Sequence, residues 1–135
     1  MRKQPLLAAL LLLALGLADA AGASPQRDFA FGRLGGNIQP YTVSIRSDGR
    51  VHVSGPVAGD RTKLTAAQLA TLDRATSAAR FASLPAVTNC PAVLPDIAAT
   101  FIRVGARTVR VHGGCVARYA KLFTALTSAV RLSTG

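Results

Sequence analysis

Two segments of this chain alternate apolar and polar residues and fold back at a glycine. They are "YTVSIRSDGRVHVSG", from Tyr41 to Gly55, and "FIRVGARTVRVHGG", from Phe101 to Gly114. Such alternation marks strands with one face buried and one in water, and two such runs around a turn signal make a hairpin. Because side chains alternate with a period of two, the register follows from keeping apolar residues opposite one another. In the first segment a two-residue turn at Asp48-Gly49 would set Ile45 against His52 and Val43 against Ser54. A three-residue loop, Ser47 to Gly49 with a left-handed glycine, sets Ile45 against Val51 and Val43 against Val53, and this register is expected. In the second segment Gly105-Ala106 suits a two-residue turn with glycine first. Ile102 then meets Val109 and Thr100 meets Val111.

These registers also decide what points the other way. Ser44, Arg46, Arg50 and His52 share the second face of the first hairpin. Phe101 with Arg110, Arg103 with Thr108, and Ala99 with His112 share that of the other. If both hairpins belong to one sheet, Arg46, Arg50, His52, Arg103, Arg110 and His112 gather on a single face.

The remaining elements are helical or short. "LTAAQLATLDRATSAAR" begins with a Thr65-x-x-Gln68 capping box, and Leu64 and Leu69 stand where a hydrophobic staple would form. Leu69, Leu72, Thr76 and Ala79 form its inward stripe; Phe81 and Leu84 are expected to plug the core before Pro85 stops the chain. "CVARYAKLFTALTSAVRL" places Tyr119, Leu122, Phe123, Leu126 and Val130 on one stripe of a second helix. A brief strand is expected over Phe29 to Arg33, and "AVTNCPAVLPD" reads as a proline-rich crossing. The expected fold class is α+β: an antiparallel sheet of two hairpins plus a short N-terminal strand, with two helices on one face.

The opening "MRKQPLLAALLLLALGLADA" has Arg2 and Lys3, an apolar run shorter than a bilayer span, and a small-x-small end. It reads as a signal peptide over residues 1–20, cleaved after Ala20 or Ala23. A flexible arm over 21–28 and one domain over 29–135 follow. The full chain carries a formal charge of +10 with 16 basic and 6 acidic residues. Loss of Arg2, Lys3 and Asp19 with the leader would leave a charge of +9. The acidic residues are all aspartates, and such a balance attracts polyanions without selecting one.

Export carries Cys90 and Cys115 into an oxidising compartment, where a disulfide between them is expected. Closing the 24-residue loop between them is worth roughly 3.5 kcal/mol. Gly113-Gly114 then turns the chain from His112, at the end of the last strand, to Cys115, at the start of the last helix. The alternative is a nucleophilic thiol at Cys115 with His112 as its base. It lacks an orienting third group, and the alternation turns His112 toward the outer face. No G-x-S-x-G elbow accompanies "HGG", and no C-x-x-C or H-x-x-x-H spacing supports a metal among His52, His112, Cys90 and Cys115. "GRLGG" has neither the spacing nor the following helix of a dinucleotide loop. The expectation is a non-catalytic protein without cofactor or metal. Sheet surfaces that read nucleic acid use several stacking aromatics, and only Phe101 is on hand, so nucleic acid is not the expected partner.

The features "LGGN", "YTVSIRSDGRVHVSG", "LTAAQLATLDRATSAARFASLP", Asp96, "FIRVGARTVRVHGGC" and the closing helix together resemble small exported bacterial proteins of unknown function. They are also distantly similar to emfourin-type proteinaceous inhibitors of thermolysin-like metalloproteases, over about residues 34–130. Shared are a Gly-Gly near the start, a leucine-bearing helix ending in Phe-x-x-Leu-Pro, an aspartate before a hairpin and a C-terminal helix. The resemblance implies a binding module, with protease inhibition as one form of it. In that form a rigid loop, with Gly35 and Gly36 as the candidate, would occupy the target's cleft. Independently of the resemblance, the arginine face offers the alternative of a polyanion or cell-envelope binder. The partners expected are therefore a secreted or envelope protein, or an anionic polymer, with no membrane span after leader removal.

Overall fold

The computed structural model describes residues 27–133. The expected signal peptide and most of the expected arm lie outside the described residues. Ten elements follow in order: β1 (Phe29–Leu34), β2 (Tyr41–Ile45), β3 (Val51–Ser54), β4 (Ala58–Gly59), α1 (Ala66–Ala78), β5 (Val87–Asn89), β6 (Ala99–Val104), β7 (Arg107–His112), α2 (Ala117–Val130) and β8 (Leu132–Ser133). A single 3₁₀ turn, Phe81–Ser83, lies between α1 and β5. Six strands form one mixed sheet in the order β3-β2-β1-β6-β7-β5, while β4 and β8 pair separately. The fold is α+β, with both helices on one face of that sheet.

Both hairpins adopt the registers that their apolar residues require. Ile45 faces Val51 and Val43 faces Val53 in the first. Ile102 faces Val109 and Thr100 faces Val111 in the second. The loop glycine, Gly49, is left-handed at φ 91°, and Gly105 opens the second turn at φ 57°. What holds the hairpins together is β1, which pairs with β2 on one side and β6 on the other. Its alternation explains its central place. Phe29 and Phe31 point under the helices, continuing a row that runs Val53, Val43, Phe31, Ile102 and Val109 across the sheet. Phe31 is fully buried and meets the Phe123 ring edge-on, 5.7 Å between centroids. On its other face β1 carries Ala30, Gly32 and, at its exposed end, Leu34. A Cβ on Gly32 would lie 1.9 Å from the Tyr41 carbonyl oxygen and 3.1 Å from the Phe101 ring, so this strand approaches its neighbours too closely for any side chain there.

The helices are set as their stripes and caps dictate. Thr65 Oγ1 accepts from the Gln68 amide at 3.2 Å, and Gln68 Oε1 accepts from the Thr65 amide at 2.8 Å, closing the capping box. Leu69, Leu72, Thr76 and Ala79 are buried, as are Phe81 and Leu84 beyond the helix. From α2, Tyr119, Leu122, Leu126 and Val130 are buried while Phe123 is partly so. Arg118 donates to the Ala79 carbonyl at 3.1 Å, tying the start of α2 to the end of α1.

Three expectations need correction. The crossing "AVTNCPAVLPD" contains a strand: β5 adds to β7 in parallel, so the sheet is not purely antiparallel. Its hydrogen bonds are supplied by a partner distant in sequence, with the Arg110 amide donating to Ala86 and the Cys90 amide to His112, both at 2.8 Å. The last helix begins at Ala117, two residues after Cys115. Residues 27 and 28, placed in the flexible arm, are anchored. Arg27 lies 3.6 Å from the Asp73 carboxylate. Asp28 accepts from the Ser47 amide at 2.7 Å and from the Gly105 amide at 2.9 Å, so one aspartate braces both hairpin turns.

Candidate functional site: the open sheet face

With both helices on one side, the alternation that fills the core sends a second set of side chains onto a face that no helix covers. One row runs His52, Ser44, Ala30, Arg103 and Thr108; the next runs Ser54, Thr42, Gly32, Phe101, Arg110 and Val87. Arg46 and Arg50 close the first hairpin, bonded backbone to backbone at 2.9 Å just beyond the first row. His112 stands beside Asn89 at the other end. All six basic residues picked out by the pattern thus lie on one face, but β1 separates them. Arg46, Arg50 and His52 form a group on β2 and β3; Arg103, Arg110 and His112 form another on β6 and β7. His52 and Arg103 are three strand spacings apart, roughly 14 Å. Between them lie Ala30 and Gly32, small and buried beneath the side chains of the flanking strands.

Charge on this face is mostly uncompensated. Among the described residues, the guanidinium groups of Arg46, Arg103 and Arg110 have no ion-pair partner. Arg50 contacts the Asp48 carboxylate at 3.1 Å, but both are well exposed, and exposed pairs are worth little. The Arg50 amide bonded to Asp48, followed by the charges of Arg50, Arg46 and Lys63, holds that carboxyl below its usual range. It therefore stays ionised and offsets part of the first group. Phe101 is the one aromatic of these rows, and it leans over Gly32.

At the corner, Cys90 and Cys115 are joined, with Cα atoms 5.7 Å apart. Gly113 makes this junction: at φ 106° it passes so close that a Cβ would lie 2.7 Å from that of Cys90. Both sulfurs are taken up in the bond, and His112 Nε2 lies 2.6 Å from the Ile97 carbonyl oxygen rather than toward sulfur. No group of three His, Cys, Asp or Glu side chains converges as metal ligands among the described residues. Nor is any helix there long and apolar enough to cross a membrane.

Gly35 and Gly36 occupy the loop after β1, both with positive φ, and Gly36 lies against the backbone of Asp96 and Ala98. Asn37 fastens this loop, its amide donating to the Asp96 carbonyl at 2.9 Å and its side chain to the Asp96 carboxylate at 3.1 Å. The loop lies at the end of the open face near His112, apart from the Arg46 and Arg50 group. Sequence reasoning missed the residues around it. Leu34, Ile38, Val87, Leu94 and Ile97 are the exposed large apolar side chains of the described residues, and they come from this loop, β5 and the segment before β6. Their signal was apolar residues inside glycine- and proline-rich connectors, "LGGNI" and "PAVLPDI".

No protein-family model, curated protein or solved structure matches this chain. The functional reading therefore rests on the face itself.

Proposed function

We propose that this protein is an exported, non-catalytic binding module whose working surface is the open sheet face, and that its partner there is anionic. The observation that carries the reading is the supply of unpaired arginines by both hairpins to the one side that no helix covers. A disulfide on the outer corner suits an oxidising compartment, as the leader-like start of the chain does. Exposed cations on a preformed sheet attract an acidic partner over a distance of about a Debye length and lose that attraction as salt rises. Binding to poly-L-glutamate, measured from about 50 to about 200 mM salt, tests this. The expected result is a steep loss of affinity with salt, and a further loss of roughly tenfold on pairing Arg46→Ala with Arg103→Ala. The control Lys121→Ala, on the helical side, should change little. Salt-insensitive binding, or equal losses from the control, would refute the reading.

A second reading has its own support. The Gly35-Gly36 loop is exposed yet braced at both backbone and side chain by Asp96. A preorganised loop of this kind is what a proteinaceous inhibitor places in a protease cleft. Inhibition of purified thermolysin that survives Arg103→Ala and Arg110→Ala, and is lost when Asn37→Ala releases the loop, would favour it over the arginine face.

A further inference from the structure

The open face changes character along its length. At the end away from the first hairpin turn, three of the five exposed large apolar side chains, 38 to 58 % exposed, line a shallow groove of about 340 Å³. Leu34, Val87 and Ile97 line the groove, and Arg110 and His112 line it with them. Ile38 and Leu94 sit on the two segments that Asn37 and Asp96 join. Elsewhere among the described residues large apolar side chains are buried or half-buried. A cluster of this kind, gathered from three separate stretches of chain, is what an interaction surface requires and a solvated face does not.

The geometry points to this groove as the seat of an acidic, extended segment of a partner protein, an aliphatic side chain entering between Val87 and Ile97 while an adjacent carboxylate pairs with Arg110. This rests on the reading of the open face as a binding surface, and names the partner class. Charge complementarity selects the occupant. Arg110 has no acidic partner among the described residues. A second copy of this basic chain would bring Arg110 toward other arginines and supply no carboxylate. A lipid surface prefers a protruding apolar patch to a concave one. A carbohydrate or phosphate polymer would use Arg110 and leave the aliphatic wall unmatched. The groove also adjoins β5, an edge strand whose bonds to β7 alternate along it, including those at Ala86 and Cys90 on either side of Val87 and Asn89. The backbone of Val87 and Asn89 is thereby turned outward, toward the free edge of the sheet beside the groove.

The test is selection of a random twelve-residue phage-displayed peptide library on the immobilised, disulfide-bonded protein. The selected consensus is then synthesised and its affinity measured. Enrichment of an acidic residue within three positions of an aliphatic one is expected. Affinity should fall at least tenfold with Ile97→Asp and with Arg110→Ala, and change less than twofold with Lys121→Ala on the helical side. Circular dichroism of each variant checks the fold, and Val87→Asp provides a second lesion of the wall. No enrichment, or a consensus indifferent to Ile97→Asp and Val87→Asp, overturns the proposal. So does a dimer in sedimentation that Ile97→Asp dissociates, or adsorption to phosphatidylglycerol–phosphatidylcholine vesicles that Ile97→Asp abolishes. If the peptides fail while poly-L-glutamate still binds through Arg103, the groove falls and the open face stands. If both fail, both fall.

Discussion

The two faces of the sheet come from the same strands, read at odd and even positions, yet they answer to different physics. Under the helices, Phe29 and Phe31 of β1, Tyr41, Val43 and Ile45 of β2, Ile102 and Val104 of β6, and Val109 and Val111 of β7 are buried together, and shape is tightly specified there. On the open side the central strand offers Ala30, Gly32 and Leu34, and the flanking strands offer arginine, histidine, serine and threonine beside Phe101 and Val87. The covered face decides whether the chain folds; the open face is free to decide what it meets. Variants on the two faces should therefore separate cleanly in stability measurements.

The deepest cut into the covered face is Phe31→Ala. It empties the space between β2, β6 and the Phe123 ring, and urea denaturation should show a loss of about 3–5 kcal/mol. Next comes the covalent corner. Removing the disulfide with the pair Cys90→Ser and Cys115→Ser should lower stability by roughly 3.5 kcal/mol, as chain entropy returns to the unfolded state. An unchanged denaturation midpoint would show that β5 and the start of α2 are held by packing alone.

Tyr119 sharpens the comparison through pH. Burial, opposed by its 2.9 Å hydrogen bond to Thr100 Oγ1, pushes its hydroxyl up to about 12, above the ordinary value of 10.0. Below pH 10 both folded and unfolded states keep the proton, and stability does not depend on this group. As pH rises from 10 toward 12 the unfolded chain gives up the proton while the folded chain retains it. Stability then falls, by on the order of 2–3 kcal/mol once the folded pKa is passed. Urea midpoints taken at successive pH values through that range would reveal the slope, and Tyr119→Phe should flatten it. Burial also raises Tyr41, so a residual slope of the same sign is expected in that variant. The smallest effect belongs to the open face: Arg103→Ala should move stability by no more than about 0.5 kcal/mol. A larger loss would mean that the arginine holds the fold and the two faces are less independent than their composition implies.

Much of this division was legible before any coordinates. The registers of both hairpins followed from matching valines and isoleucines, and the six basic positions followed from the registers. The capping box, the helical stripes and the cysteine pairing were likewise local or compositional signals. Three things were not legible, for related reasons. β5 is a three-residue strand between prolines whose hydrogen bonds come from β7, so no alternation announces it. β1 is too short for its pattern to reveal that it would part the two hairpins and so split the basic face into two groups. The groove draws on Leu34, Val87 and Ile97, which the β1–β6 pairing, the Asn37–Asp96 contact and the parallel pairing of β5 bring to one end of the molecule. Each is a product of tertiary pairing between segments far apart in the chain.

An amide chemical-shift map during titration with poly-L-glutamate tests most directly whether recognition belongs to the uncovered side. The account predicts shifts concentrated at Arg46, His52, Arg103, Arg110 and their sheet neighbours, fading as salt is added, with the outer surfaces of α1 and α2 unmoved. Shifts centred on the helices, or scattered evenly over every exposed cation, would contradict it.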